Sequence, residues 1–243
     1  MKNLKLTIEY DGTNYSGFQR QSNGYTVQEE LEKAITKVVS HNIILYCAGR
    51  TDAGVHANCQ VCNFFTSSKI SENGLNIALN SLLPMDISCY EVCEVYETFN
   101  ARYSAKSRRY QYFILNREPK SAIKGRYAWH VRKQLDLNEM QKAISAFIGT
   151  QDFRAFSHAK KDEITIRNVI SMTISKKEDM IVIDISANSF LRSMVRNIVG
   201  TLVEVGMGKR AAETIQEIID SKDRRKAGIC APAKGLFLKS VEY

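Results

Sequence analysis

Apolar and polar residues alternate at the start of the chain. Leu4, Leu6, Ile8 and Tyr10 interleave with Lys5, Thr7 and Glu9, a period of two that predicts a strand over 4–10. The period then lengthens. Val27, Leu31, Ala34, Ile35, Val38 and Val39 recur at helical spacing, and Thr26-x-x-Glu29 ahead of them reads as a capping box. Short apolar runs at 43–47 and 60–65 predict two strands joined by a tight connection. Ser71 opens a second helix with the stripe Leu75, Leu79, Leu82 and Leu83, which Pro84 ends, and a strand follows over 87–95.

Residues 99–107 have no clear period and read as the crossing to a second half. There, 108–114 alternates as a strand with Arg108, Tyr110 and Tyr112 on one face. Asp136-x-x-Glu139 starts a helix that runs through Met140, Ile144 and Phe147 and stops at Gly149. Strands are expected near 170–174 and 181–185, and then the longest helix, from Phe190 to about Gly206. Its apolar pairs line one face, and Arg192 and Arg196 sit one turn apart on another. A strand over 236–243 closes the chain. The pattern predicts an α+β protein of two similar lobes, 1–103 and 104–243, whose mainly antiparallel sheets face a central basic cleft.

Composition changes this picture little, and charge more. With 34 Lys and Arg against 26 Asp and Glu, the net charge of +8 points to a polyanionic partner. No apolar run approaches the ~18 residues of a membrane span, and no signal-peptide core precedes the first strand. The chain therefore reads as cytoplasmic, with no membrane partner. The six cysteines read as buried, reduced thiols, because Cys59 and Cys62 fall in a strand that sends them to opposite faces rather than around a metal. No phosphate loop, paired metal-binding histidines or serine-hydrolase elbow is present.

Chemistry concentrates in Gly49-Arg50-Thr51-Asp52-Ala53-Gly54-Val55-His56-Ala57, where three ionisable side chains crowd a loop between two strands. Taken alone it is either a charged turn, with Arg50 and Asp52 neutralising one another, or a reactive carboxylate. The loop from Tyr10 to Gln21 offers aromatics and amides that either stack on an unpaired base or plug the core. Arg108, Tyr110 and Tyr112 form either an RNA platform or a packed strand face. The basic stretch 222–226 either meets phosphates or solvates a loop.

Six stretches occur together in sequence order. They are Tyr10-Asp11-Gly12-Thr13 with Gly17-Phe18-Gln19-x-Gln21; Thr26-Val27-Gln28; the 49–57 loop; Ala101-Arg102 with Arg109-Tyr110; Met194-Val195-Arg196-Asn197-Ile198-Val199-Gly200; and Ala231-Pro232-Ala233-Lys234-Gly235-Leu236. In this the whole chain resembles the TruA family of tRNA pseudouridine synthases, which act on the 3′ side of the anticodon arm. The resemblance implies the pseudouridine synthase fold and uridine-to-pseudouridine isomerisation at tRNA positions 38, 39 and/or 40. It implies Asp52 as the catalytic aspartate, Tyr110 against the target base and Arg196 as the basic partner of the aspartate. Leu236 would lie beneath the uracil, and Arg50 would hold or displace the flipped nucleotide. It further implies a homodimer embracing tRNA, without metal or cofactor.

The chain departs from the family pattern at Phe18, Asn100, Gln151, Arg192 and Ser193, where substrate would be held. A paralogue acting on other tRNA or ribosomal RNA uridines, a tRNA-binding or folding protein without catalysis, and a hydrolase using Asp52 stay open on sequence.

Overall fold

The structure, a computed structural model, describes residues 1–160 and 162–243. It divides into two compact units, Met1–Lys106 with Phe237–Tyr243, and Ser107–Leu236.

The first unit contains β1 (Lys2–Tyr10), β2 (Tyr46–Cys47), β3 (His56–Thr66), β4 (Ile87–Val95) and all but the first residue of β10 (Leu236–Glu242). β1 lies between β3 and β4 and is antiparallel to both. It is buried more completely than its alternation predicts, because Asn3 and Thr7 are covered as well as Leu4, Leu6 and Ile8. β10 joins the free side of β3 in parallel, with Phe237 opposite His56, so the sheet is not wholly antiparallel.

Two helices complete this unit, α1 (Val27–Val39) and α2 (Glu72–Leu82). Thr26 caps α1 by accepting the Glu29 N–H, and Ser71 caps α2 by accepting the Gly74 N–H. Both starts are where the sequence puts them. The α2 stripe is narrower than expected: Leu75 and Leu79 are fully buried, whereas Leu82 at the last turn is exposed.

The crossing segment is fastened by polar side chains rather than by periodicity. Buried Asn63 accepts the Ala101 N–H at 2.8 Å and donates to Asn3 Oδ1 at 2.9 Å. The Asn3 amide in turn donates to the Tyr96 and Phe99 carbonyls, each at 2.9 Å.

The second unit contains β5 (Ser107–Asn116), β6 (Trp129–Val131), β7 (Gly149–Asp152), β8 (Ile166–Lys177) and β9 (Met180–Ala187). β5, β9, β8 and β7 pair antiparallel in that order, and β6 adds to β5 in parallel. Its helices are α3 (Leu137–Ile144), α4 (Met194–Gly206) and α5 (Thr214–Ser221).

Three sequence expectations are corrected in this unit. β8 extends well beyond 170–174 at both ends. α5 has no counterpart among the helices the sequence predicts. α4 begins at Met194 rather than Phe190, because Ser193 has φ +59° and a left-handed residue cannot continue a right-handed helix. α4 is thus no longer than α1, and Arg192 does not share a helix face with Arg196. No helix among the described residues is long and apolar enough to cross a membrane.

Candidate active site

The 49–57 loop is an arch, longer than the tight connection the sequence predicts. β2 is only two residues long, with Tyr46 opposite Asn63 and Cys47 opposite Cys62, and the last two motif residues, His56 and Ala57, already belong to β3. At the crown, the Asp52 carbonyl accepts the Val55 N–H at 3.1 Å, closing a four-residue turn. Gly54 takes φ +75° at its third position, as a type II turn requires. Asp52 is half-buried at the first corner, and Arg50 is exposed.

A second loop, from the end of β1, grips this arch from the side. Phe18 N–H donates to the Thr51 carbonyl at 3.1 Å, Gly54 N–H to the Tyr15 carbonyl at 3.4 Å, and Gly12 N–H to His56 Nδ1 at 3.0 Å. The two backbones lie close enough that a Cβ on Gly12 would fall 2.0 Å from the Val55 oxygen, and one on Gly17 2.8 Å from the Thr51 oxygen. Buried Tyr10 and Thr51 share a hydroxyl–hydroxyl bond of 2.7 Å, and the Gln60 amide donates to the Gly49 carbonyl at 2.6 Å. His56, 1% exposed, stacks on Phe237 with ring centres 4.5 Å apart. The backbone on both sides of Asp52 is therefore tied by hydrogen bonds to the 10–18 loop and to β3.

The aromatics of this gripping loop belong to the core rather than to an exposed stacking surface. Phe18 is fully enclosed. Tyr15 is buried, stacks on Tyr25 at 4.9 Å and donates to the Asp86 carboxylate. Burial first, and the Asp86 bond second, push its hydroxyl far above the ordinary tyrosine range.

In the second unit, the segment 228–236 organises the remaining candidates. The Arg196 Nε donates to the Ala231 carbonyl at 2.7 Å, and the Ala231 N–H donates back to the Arg196 carbonyl at 3.1 Å. This reciprocal pair forms because the segment lies directly on α4. A Cβ on Gly200 would be 1.7 Å from the Ile229 oxygen, and one on Gly228 would be 2.8 Å from Thr201 Cα. Glu204, two turns beyond Arg196, accepts the Ile229 N–H at 3.3 Å and pairs with Arg210 at 3.0 Å.

β5 holds the other side of the same segment. The Tyr112 hydroxyl donates to the Pro232 carbonyl at 2.8 Å, and Gly235 sits against the Tyr112 ring, where a Cβ would come within 2.7 Å of Cζ. Burial raises the Tyr112 hydroxyl well above the ordinary range, opposed in part by the positive charge of Arg196. Leu236, buried, follows at once. Tyr110, two residues before Tyr112 on the same face, meets the ring of Phe190 edge-on at 5.0 Å. Tyr110, Arg196 and Leu236 thus stand on segments that bond to one another within this unit, while Arg50 and Asp52 stand in the first unit.

The strand face of Arg108, Tyr110 and Tyr112 is packed, with exposures of 8%, 7% and 0%. It is not an open platform. Arg108 donates from Nη1 to the Asn188 carbonyl at 2.7 Å. The basic stretch 222–226 is largely engaged in the fold: Lys222 pairs with Asp152 at 3.2 Å, Arg224 donates to Asn197 Oδ1 at 2.8 Å, and Arg225 pairs with Asp223 at 2.7 Å.

Three of the departures from the family pattern serve local structure. Phe18 fills the core, the Asn100 side chain accepts the Arg102 N–H at 2.9 Å, and the Gln151 amide donates to the Ala146 carbonyl at 2.6 Å. Sequence reasoning missed Gln60 and Glu204, and it did not foresee that Tyr10 would bond to Thr51 or Tyr112 to Pro232. The glycines at 12, 17, 200, 228 and 235 were the readable sign that backbones would meet there.

The family model described as tRNA pseudouridine synthase matches residues 6–104 and 143–243. The tRNA pseudouridine synthase A of Thermoanaerobacter sp. (strain X514) is 50% identical over 244 residues, covering 100% of both chains. The tRNA pseudouridine synthase A 2 of Clostridium perfringens (strain 13 / Type A) is 46% identical, and the tRNA pseudouridine synthase A of Acetivibrio thermocellus 45% identical, each again over 100% of both chains.

Proposed function

Since this chain belongs to the tRNA pseudouridine synthase family, we propose that it isomerises uridine in the anticodon stem-loop of tRNA, at positions 38, 39 and/or 40, with Asp52 as the reacting carboxylate. The reaction breaks the C1′–N1 bond, turns the uracil and joins C5 to C1′. Atoms and electrons balance within the nucleotide, so neither an oxidant nor a hydrolytic water enters the overall equation.

The observation that carries the assignment of Asp52 is its setting: a half-buried carboxylate on a turn whose backbone is hydrogen-bonded on both sides, to Phe18 through Thr51 and to Tyr15 through Gly54. Such a group can keep a fixed position beside a sugar, which converts an encounter into an oriented reaction. It acts either as nucleophile at C1′ or as base at C2′. In this reading Arg196 is its basic partner.

Drawing the uridine out of its stack costs on the order of a few kcal/mol. Tyr110 against the base and Leu236 beneath it would offset that cost, and Leu236 would help exclude water from the reacting sugar. Arg50, exposed beside Asp52, would hold the displaced nucleotide. The net charge of +8 suits a polyanionic substrate. The proposed working form is a cytoplasmic homodimer on tRNA.

The test uses tRNA transcripts carrying C5-tritiated uridine at position 38, 39 or 40 alone. Each rejoining event expels the C5 hydrogen, so release into water counts isomerisation. Release from at least one of the three is expected. Release only from uridines elsewhere in tRNA, or only from ribosomal RNA, would overturn the position assignment while leaving the chemistry.

A further inference from the structure

We propose that Cys47 and Cys62 form a reversible disulfide at the base of the Asp52 arch, with a hydroperoxide as oxidant. All six cysteines are reduced thiols, of which Cys62 and Cys89 are buried and the other four half-buried, so the expectation of uniformly buried thiols is corrected. Cys47 and Cys62 are register partners on antiparallel β2 and β3, and directly opposed residues project from the same face.

The hydrogen-bond pattern fixes which kind of pair they form. Ala48 N–H donates to the Val61 carbonyl at 2.8 Å, which makes 48–61 the hydrogen-bonded pair and 47–62 the neighbouring non-hydrogen-bonded one. In such a pair the Cα atoms stand ~4.5 Å apart, inside the ~4.4–6.8 Å range that a disulfide spans.

The other thiols of this unit do not meet that condition. Cys59 lies on the same strand as Cys62 at an odd spacing and faces the other way. Cys89 is on β4, opposite Ile8 of β1, while Cys62 is opposite Leu6 of β1. Two strand spacings, about 9.5 Å, therefore separate Cys62 from β4, and the same holds for Cys93, opposite Lys5.

Exposure divides the chemistry between the two sulfurs. Burial pushes the Cys62 thiol well above its usual range, so it does not begin the reaction. Half-buried Cys47 does: its thiolate attacks the peroxide oxygen, the O–O bond breaks, and the departing oxygen takes up a proton as water or an alcohol. The sulfenic acid left on Cys47 is then attacked by the Cys62 sulfur. The S–S bond forms, and the hydroxyl leaves as water with the Cys62 proton. Two thiols lose two electrons, one hydroperoxide gains them, and a dithiol reductant reverses the change. The product closes a covalent ring through the whole arch, including Asp52.

The experiment treats the full chain with hydrogen peroxide, blocks remaining thiols with an alkylating agent, and maps peptides without reduction. The expected result is a single cross-linked peptide pair joining Cys47 to Cys62, a mass lower by two hydrogens, and a thermal midpoint raised by about 5 °C, all reversed by dithiothreitol. Cys47→Ser and, separately, Cys62→Ala should remain uncross-linked after the same treatment. A cross-link through any other cysteine would overturn the proposal, as would Cys47 oxidised without linkage, or both thiols alkylated. A lowered midpoint on linkage would overturn the claim that the pair fits the native sheet.

Discussion

α1 and α4 are both thirteen residues long, and they are built on opposite plans. α1 starts on a side-chain cap, turns one apolar face inward and leaves Lys33 and Lys37 in solvent. α4 starts without a side-chain cap, after a serine in the left-handed region, and is buried on nearly every side. Its two charged residues, Arg196 and Glu204, both bond to the backbone of the strip at 229–231. A helix buried on one face only leaves its charged residues to water. A helix enclosed by its unit spends them on positioning a neighbouring segment, and here that segment leads to Leu236.

The largest expected effect comes from Gly200→Ala. Its Cβ would fall 1.7 Å from the Ile229 oxygen, and backbone must move on one side or the other. A loss of about 3 kcal/mol in denaturant unfolding is expected, whereas Lys37→Ala on α1 should stay within about 0.5 kcal/mol. Equal losses at both sites would erase the contrast between the helices.

Arg196→Lys comes next. Lysine keeps the charge but lacks the Nε–H that meets the Ala231 carbonyl at 2.7 Å, so isomerisation should slow by roughly ten-fold or more with little change in unfolding midpoint. An unchanged rate would mean that charge alone matters at this position.

The two helix starts should respond with opposite signs. Thr26→Ala removes the acceptor of the Glu29 N–H and should cost about 1 kcal/mol. Ser193→Gly relieves a φ of +59° at the price of a more flexible unfolded chain and should stabilise by about 0.5 kcal/mol. Thermal melts of both variants side by side check the pair.

The same contrast explains how much the sequence disclosed. The starts of α1 and α2 and the Asp52–Val55 turn depend on residues close in the chain, Thr26 with Glu29, Ser71 with Gly74 and Asp52 with Val55, although the rest of the 49–57 loop is held from the distant 10–18 loop. These were legible, and so was membership of the loop in a family pattern. α4 misled because its apolar pairs continue back to Phe190, and only the Ser193 backbone breaks them.

The 43–47 run promised a longer strand than the two residues that pair. The contacts of β2 lie on β3, many residues away, and set its length better than local propensity does. The hold on Arg196 depends on Ala231, and that on Thr51 depends on Tyr10. No periodicity within either stretch encodes such partnerships. Glycines at 12 and 200 mark where distant backbones touch but do not say which ones.

The central claim is that a fixed carboxylate at Asp52 performs the isomerisation, and it is tested most directly by tritium release from C5-labelled tRNA with wild-type protein and Asp52→Asn. The wild type should release tritium, and the variant should bind the same tRNA with similar affinity and release none. An Asp52→Asn variant that turns over at a rate near the wild type would contradict the account, whatever its affinity for tRNA.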